Sequence, residues 1–218
     1  MRDVFQQQLA LLDAQLLVMA SSMQDAVSDA IKVMEDRSDD LAKRVIDGDD
    51  DIDRQEREIE SLCLKLLLPQ QPVAGDLRRV SAGLKMVGDI ERIADQAADI
   101  CETSMSADEA FDARLAVHLR RMGECACDMV HDAVEAFVEQ DLEKARAVVG
   151  RDDEVDALFD AVKTGVITAI QEGSGSANGL IGALMVAKYL ERIGDHAQNV
   201  AEWVGYSLTG YYKGDLIG

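Results

Sequence analysis

The sequence predicts an all-α protein built as two tandem three-helix bundles, related by an internal pseudo-twofold repeat. Three observations carry this. The 218 residues include only 2 prolines and 4% aromatic residues, and Ala, Leu, Val, Asp and Glu dominate, the usage of long helices rather than sheets. Apolar residues recur in steps of three and four over long stretches, the period of an amphipathic helix. The phrase DIERIADQA at 89–97 returns as YLERIGDHA at 189–197, and such self-similarity governs how every other element is read.

Taken in order, Leu9, Leu12, Leu16, Met19, Met23, Val27, Ala30 and Met34 mark a first helix over 9–36. DRSDDL restarts the chain, and Leu41, Val45, Ile52, Ile59, Leu62 and Leu66 mark a second over 39–68. LPQQPVAGDL holds both prolines and a glycine, the clearest break in the first half. Leu77, Val80, Leu84, Val87, Ile90, Ile93 and Ala97 mark a third helix over 74–103. SADEAFDARL reads as a start signal, with Ser106 as N-cap and Asp108 and Glu109 in the first turn of a fourth helix that runs to 139. A fifth covers 141–171. EGSGSANG is a flexible loop with Asn178 placed to cap the sixth helix, which ends near Ser207 before the tail GYYKGDLIG. Helices this long exceed the usual length, and breaks are expected near Gly48 and Gly150.

The halves align residue by residue. Met19, Asp25 and Asp29 correspond to Met122, Asp128 and Asp132, and VIDGDDDID (45–53) corresponds to VVGRDDEVD (148–156). After a loop shorter by three residues, the two opening phrases coincide. The expected organisation is a first bundle at 1–104, a second at 105–212 and a tail at 213–218. Short connections make successive helices antiparallel.

The formal charge is −20. Nucleic acid is excluded as a partner class, because phosphates must be neutralised by Lys and Arg; basic protein surfaces and divalent cations fit better. No apolar run is long enough to cross a bilayer, and MRDVFQQQLALLDAQ lacks the apolar region of a signal peptide, so a cytoplasmic protein is expected. Cys63, Cys101, Cys125 and Cys127 follow no zinc spacing and read as buried or half-buried thiols. His118 and His131 read as surface residues. The sequence contains no phosphate-loop, dinucleotide or nucleophile-elbow motif.

Chemistry concentrates in carboxylate pairs four residues apart, which are neighbours on one helix face. They are Asp25–Asp29, Asp49–Asp53 and Glu91–Asp95–Asp99 in the first half, then Asp128–Asp132, Asp152–Asp156 and Glu191–Asp195 in the second, where Asn199 replaces Asp99. At about 100° per residue, Glu91 and Asp95 fall within the arc of Leu84, Val87 and Ala98 rather than on the solvated face. Like charges beside apolar surface need protonation, an Arg or Lys partner, or a cation. A single pair in a chain with 42 acidic residues is an ordinary solvated face, but repetition across helices and halves points to convergence. Four or more oxygens suit hard cations or oxygen-rich iron and manganese sites. The usual Glu-x-x-His diiron pattern is missing.

The stretch QPVAGDLRRVSAGLKMVGDIERIADQAADI (71–100), with MVAKYLERIGDHAQNVAEWVGYSLTG (185–210), closely resembles the PhoU family of phosphate-uptake regulators, over about residues 5–212. The resemblance implies two three-helix bundles side by side. It implies a non-enzymatic cytoplasmic adaptor that down-regulates high-affinity phosphate import and phosphate-starvation two-component signalling. Its implied partners are the importer's ATPase subunit and the sensor histidine kinase, with membrane contact only through them, and the protein is expected as a homodimer. It further implies multinuclear iron or zinc clusters on acidic motifs, which fall here on Asp49, Asp53, Glu91, Asp95 and Asp99, and on Asp152, Asp156, Glu191 and Asp195. Two alternatives stand beside it: a carboxylate-rich metal-dependent enzyme, and a metal-binding structural protein.

Overall fold

In the computed structural model, residues 2–67, 74–107 and 111–216 are described. The chain is all-α: α1 (Arg2–Asp36), α2 (Asp39–Leu67), α3 (Ala74–Ser106), α4 (Ala113–Glu139), α5 (Leu142–Val149), α6 (Asp152–Glu172) and α7 (Ala177–Thr209), followed by a small hairpin of β1 (Tyr211–Tyr212) and β2 (Asp215–Leu216). None of these helices is long and apolar enough to cross a membrane.

The expected fifth helix is split. Around Gly150 the hydrogen bonds shorten their reach: Arg151 N–H donates to the Val148 carbonyl at 3.0 Å and Glu154 N–H to that of Arg151 at 2.9 Å. The Arg151 side chain turns to α4 and meets Asp132 at 2.7 Å. The break expected near Gly48 does not occur; α2 runs through it. Two caps also differ from expectation. Ser106 closes α3, its hydroxyl donating to the Thr103 carbonyl at 3.0 Å. The cap of α4 is Asp112, whose carboxylate accepts from Arg114 N–H at 2.8 Å and satisfies one of the orphan donors of a first turn. Asp108, Glu109 and both loop prolines lie outside the described residues. At α7 the cap is Ser176, accepting from Gly179 N–H at 3.0 Å, while Asn178 donates to the Ser106 carbonyl.

The two long third helices of the repeats form the centre. α3 packs against α1, α2 and α7, and α7 packs against α3, α4, α5 and α6; α1 also meets α4. Each repeat is thus a three-helix bundle, with the second position of the second bundle shared by α5 and α6. Leu12, Leu16, Met19 and Met23 of α1, Met86, Ile90 and Ile93 of α3, and Leu190, Ile193 and Val200 of α7 are fully buried, each worth about 1.5–3 kcal/mol in transfer terms. The α1–α4 crossing requires Gly123, since a Cβ there would come within 2.5 Å of Ile31 Cδ1. The chain past Thr209 folds back: Trp203 stacks on Tyr212 with centroids 4.0 Å apart, and Lys213 pairs with Glu202 at 3.0 Å. Part of the expected tail is therefore the hairpin.

Two carboxylate clusters as the candidate functional site

Because α2 and α3 run antiparallel, Asp49 meets Asp95 at one level while Asp53 meets Glu91 at the next. All four are half-buried. Glu56 joins them: carboxylate oxygens of Asp53, Glu56 and Glu91 lie within 4.8 Å of one another. Burial, then the Asp95, Glu56 and Asp53 charges, push the Glu91 carboxyl up to about 7, against the opposing pull of Arg92. Burial and the facing Asp95 push Asp49 up to about 6. Glu56 is raised by burial, Glu60 and Asp53. One Asp49 oxygen, Oδ1, is buried with no hydrogen-bond partner.

The second cluster repeats the plan with Asp152 and Asp156 of α6 and Glu191 and Asp195 of α7. Burial, Asp195 and Asp156 push Asp152 up to about 6. Asp195 is raised by burial and Glu191, with Lys188 opposing. It is the more open of the two, since Asp156 and Asp195 are exposed.

Asp99 follows Asp95 by one turn on α3. Its charged neighbours are Glu102, Asp95 and, from α7, Arg192, which places it at the seam between the repeats. Glu56 escaped the sequence reading because it follows Asp53 by three residues rather than four, yet that spacing also shares a face. The remaining repeated pairs carry their own counter-ions. Asp29 pairs with Lys32 at 2.7 Å and with Arg44 at 3.8 Å, and Asp132 pairs with Arg151. His131, Asp132 and Glu135 also converge within 4.8 Å, but Arg151 and Lys144 already serve the two acids.

An oxygen-only donor set, with a buried carboxylate oxygen lacking a partner, fits a hard cation or iron; it fits zinc less well, which favours nitrogen and sulfur. Asp49, Asp53, Glu56, Glu91 and Asp95 would hold such an ion, whose charge offsets the mutual repulsion of the acids. The cysteines are free. Burial pushes Cys63 and Cys101 up to about 12 and Cys127 to about 11, so these groups remain thiols at neutral pH.

Fold and site define a class: an all-helical tandem-repeat protein whose two bundles each carry a carboxylate cluster between their second and third helices. The PhoU domain profile matches residues 16–104 and 119–204, once per bundle, and the chain belongs to the PhoU family. It is similar to the phosphate-specific transport system accessory protein PhoU of Escherichia coli, 32% identical over 94% of this chain and 86% of that protein. It is likewise similar to the PhoU homolog of Clostridium acetobutylicum, 35% identical over 96% of each chain. The crystal structure of PhoU from Pseudomonas aeruginosa superposes with a TM-score of 0.91 at 32% identity, covering 95% of this chain and 100% of that one.

Proposed function

We propose that this chain is a non-enzymatic cytoplasmic regulator of phosphate homeostasis. It restrains high-affinity phosphate import and phosphate-starvation signalling when phosphate is plentiful, by docking on the importer's ATPase subunit and on the sensor histidine kinase. Membership of the PhoU family across both repeats is the observation that supports this, and relatives named as accessory proteins of phosphate-specific transport support the transport role. The −20 charge favours basic docking surfaces on the partners.

Bound cations at the carboxylate clusters are part of this reading. So is a homodimer, supported by the exposed Val4, Leu11 and Val18, which recur every seven residues down one side of α1. Deleting the gene should raise phosphate-starvation gene expression in replete medium, and a pull-down from replete cells should recover the ATPase subunit or the kinase. Unchanged expression with neither partner recovered overturns the regulator reading. Chelator-sensitive hydrolysis of a generic phosphate ester would instead support a carboxylate-bound metal enzyme, and metal-dependent stability without partner binding a structural metal protein.

A further inference from the structure

Aromatic side chains are scarce in this chain and unevenly spread. Of its 1 tryptophan and 4 tyrosines, Trp203, Tyr206, Tyr211 and Tyr212 all fall within 203–212, at the end of α7. There Gly210, at a left-handed φ of 83°, ends the helix, and Lys213 and Gly214, both at positive φ, turn the chain back as a hairpin. Thr209 Oγ1 accepts from Tyr211 N–H at 3.1 Å. A two-stranded hairpin has little stability of its own, so its place is set by what it touches. Tyr212 stacks on Trp203, and Lys213 Nζ reaches Glu202 Oε2 at 3.0 Å and Asn199 Oδ1 at 3.4 Å. Two of these anchors depart from the repeat plan: Asn199 and Trp203 stand where the first repeat has Asp99 and Thr103, and only Glu202 is matched, by Glu102.

We propose that the C-terminal hairpin is a strap that ties α7 to α3 across the seam between the repeats, with Lys213 as its positioning residue. The link is the Asn199 amide. Lysine can only donate and an ionised carboxylate can only accept, so a single orientation of the amide serves both neighbours. Oδ1 turns toward Lys213 and Nδ2 toward Asp89 Oδ1, at 3.5 Å. Asp89 belongs to α3 and is 7% exposed, so a donor withdrawn from it is not readily replaced by water. The strap lies close enough to feel that carboxylate: burial raises the Tyr212 phenol above its usual value, and the Glu202 and Asp89 charges add to this against Lys213. Each contact alone is weak; their shared geometry couples the chain end to the seam. Lifting the hairpin frees the Asn199 amide to turn and leaves Asp89 to its contact with His196. The packing of one repeat against the other thereby depends on whether the C-terminal end is docked.

The test uses the full chain. Lys213→Met and Tyr212→Ala are each expected to lower the urea midpoint by about 0.1–0.5 M. In an Asp89→Asn background the Lys213→Met loss should shrink, because coupled residues do not add. A Lys213→Met loss that is unchanged by Asp89→Asn and vanishes in Glu202→Gln overturns the proposal, since the lysine then serves only its own helix. Heteronuclear NMR gives a second reading that needs no double variant. Tyr212→Ala lifts the ring without altering a charge, and the red shift of Trp203 emission reports the lifting. The side-chain amide signals of Asn199 and the backbone amide signal of Asp89 should then move, as they should in Lys213→Met. Signals that stay at their wild-type positions in both hairpin variants overturn the proposal whatever the midpoints.

Discussion

His196 of α7 holds Asp89 of α3, with Nδ1 2.8 Å from Oδ1 at a point where Asp89 is only 7% exposed. Asn199 adds a longer contact to the same oxygen at 3.5 Å, and Lys213 of the C-terminal hairpin reaches Asn199 at 3.4 Å. A short polar chain therefore runs from α3 of one repeat, through α7 of the other, to Lys213 of the C-terminal hairpin.

Replacing His196 by Ala strands a nearly buried carboxylate. The expected cost is about 1–3 kcal/mol, read by urea unfolding. Adding Asp89→Asn to H196A removes the stranded charge, so the double variant should be more stable than the single one. If H196A unfolds at the wild-type urea concentration, the pair does not hold the repeats together.

Metal-free stability should fall as pH rises. Glu91 sits at about 7, with Asp49 and Asp152 at about 6, all above the ordinary carboxylate range. The folded chain therefore binds more protons than the unfolded chain between about pH 4 and 7. The resulting stabilisation is complete below the unfolded values and is lost as pH passes upward through the folded ones. Calorimetry in EDTA should give a higher Tm at about pH 5 than at about pH 8, with a shallower slope in E91Q. A Tm that climbs across that interval contradicts this.

Glu91→Gln/Asp95→Asn keeps shape and removes two charges from the first cluster. Without metal this variant should melt no lower than wild type, because repulsion is relieved. With a divalent or ferric ion, wild type should gain stability by mass action and the variant should not. Titration followed by melting decides it; equal gains in both proteins would move the ion elsewhere.

Gly48 sits inside the uninterrupted α2, and nothing lies within 4 Å of where its Cβ would be. Gly48→Ala should therefore stabilise by about 0.5–1 kcal/mol, since glycine in a helix interior costs that much relative to alanine. Gly123→Ala, whose Cβ would meet Ile31 at 2.5 Å, should lower stability. Denaturant midpoints of the two variants moving in the same direction would refute this contrast.

The architecture was legible because its signals are periodic. The apolar steps on α1, α2, α3 and α7 survive any local error in placing an end. The misses came where one side chain decides between neighbouring starts. Ser106 and Asp112 both precede plausible helices, and only the path of α3 shows that the serine ends one. Gly48 and Gly150 look alike in sequence but are not aligned in the repeat: the place of Gly48 is held in the second half by Arg151, whose side chain reaches Asp132. At the clusters, spacing found the paired acids, while Glu56 needed the antiparallel level of Glu91 to be noticed. Asp99 continues Glu91 and Asp95 along α3, and Arg192 from the other repeat also lies beside it, a contact across repeats that leaves no local trace.

The burial of α3 against α7 bears on where such a chain comes from. A lone repeat would leave the inner face of its third helix bare, and a second identical repeat is the natural cover for it. The tandem chain is in this sense a homodimer of three-helix units fused end to end. Fusion releases each half from the requirement to be identical. Asp89 can face His196 while the mirrored positions hold Tyr189 and Gln96, and Gly88 can stay small while Lys188 does not. A true dimer must write every residue twice; this chain writes its two halves separately, and so can divide labour between them.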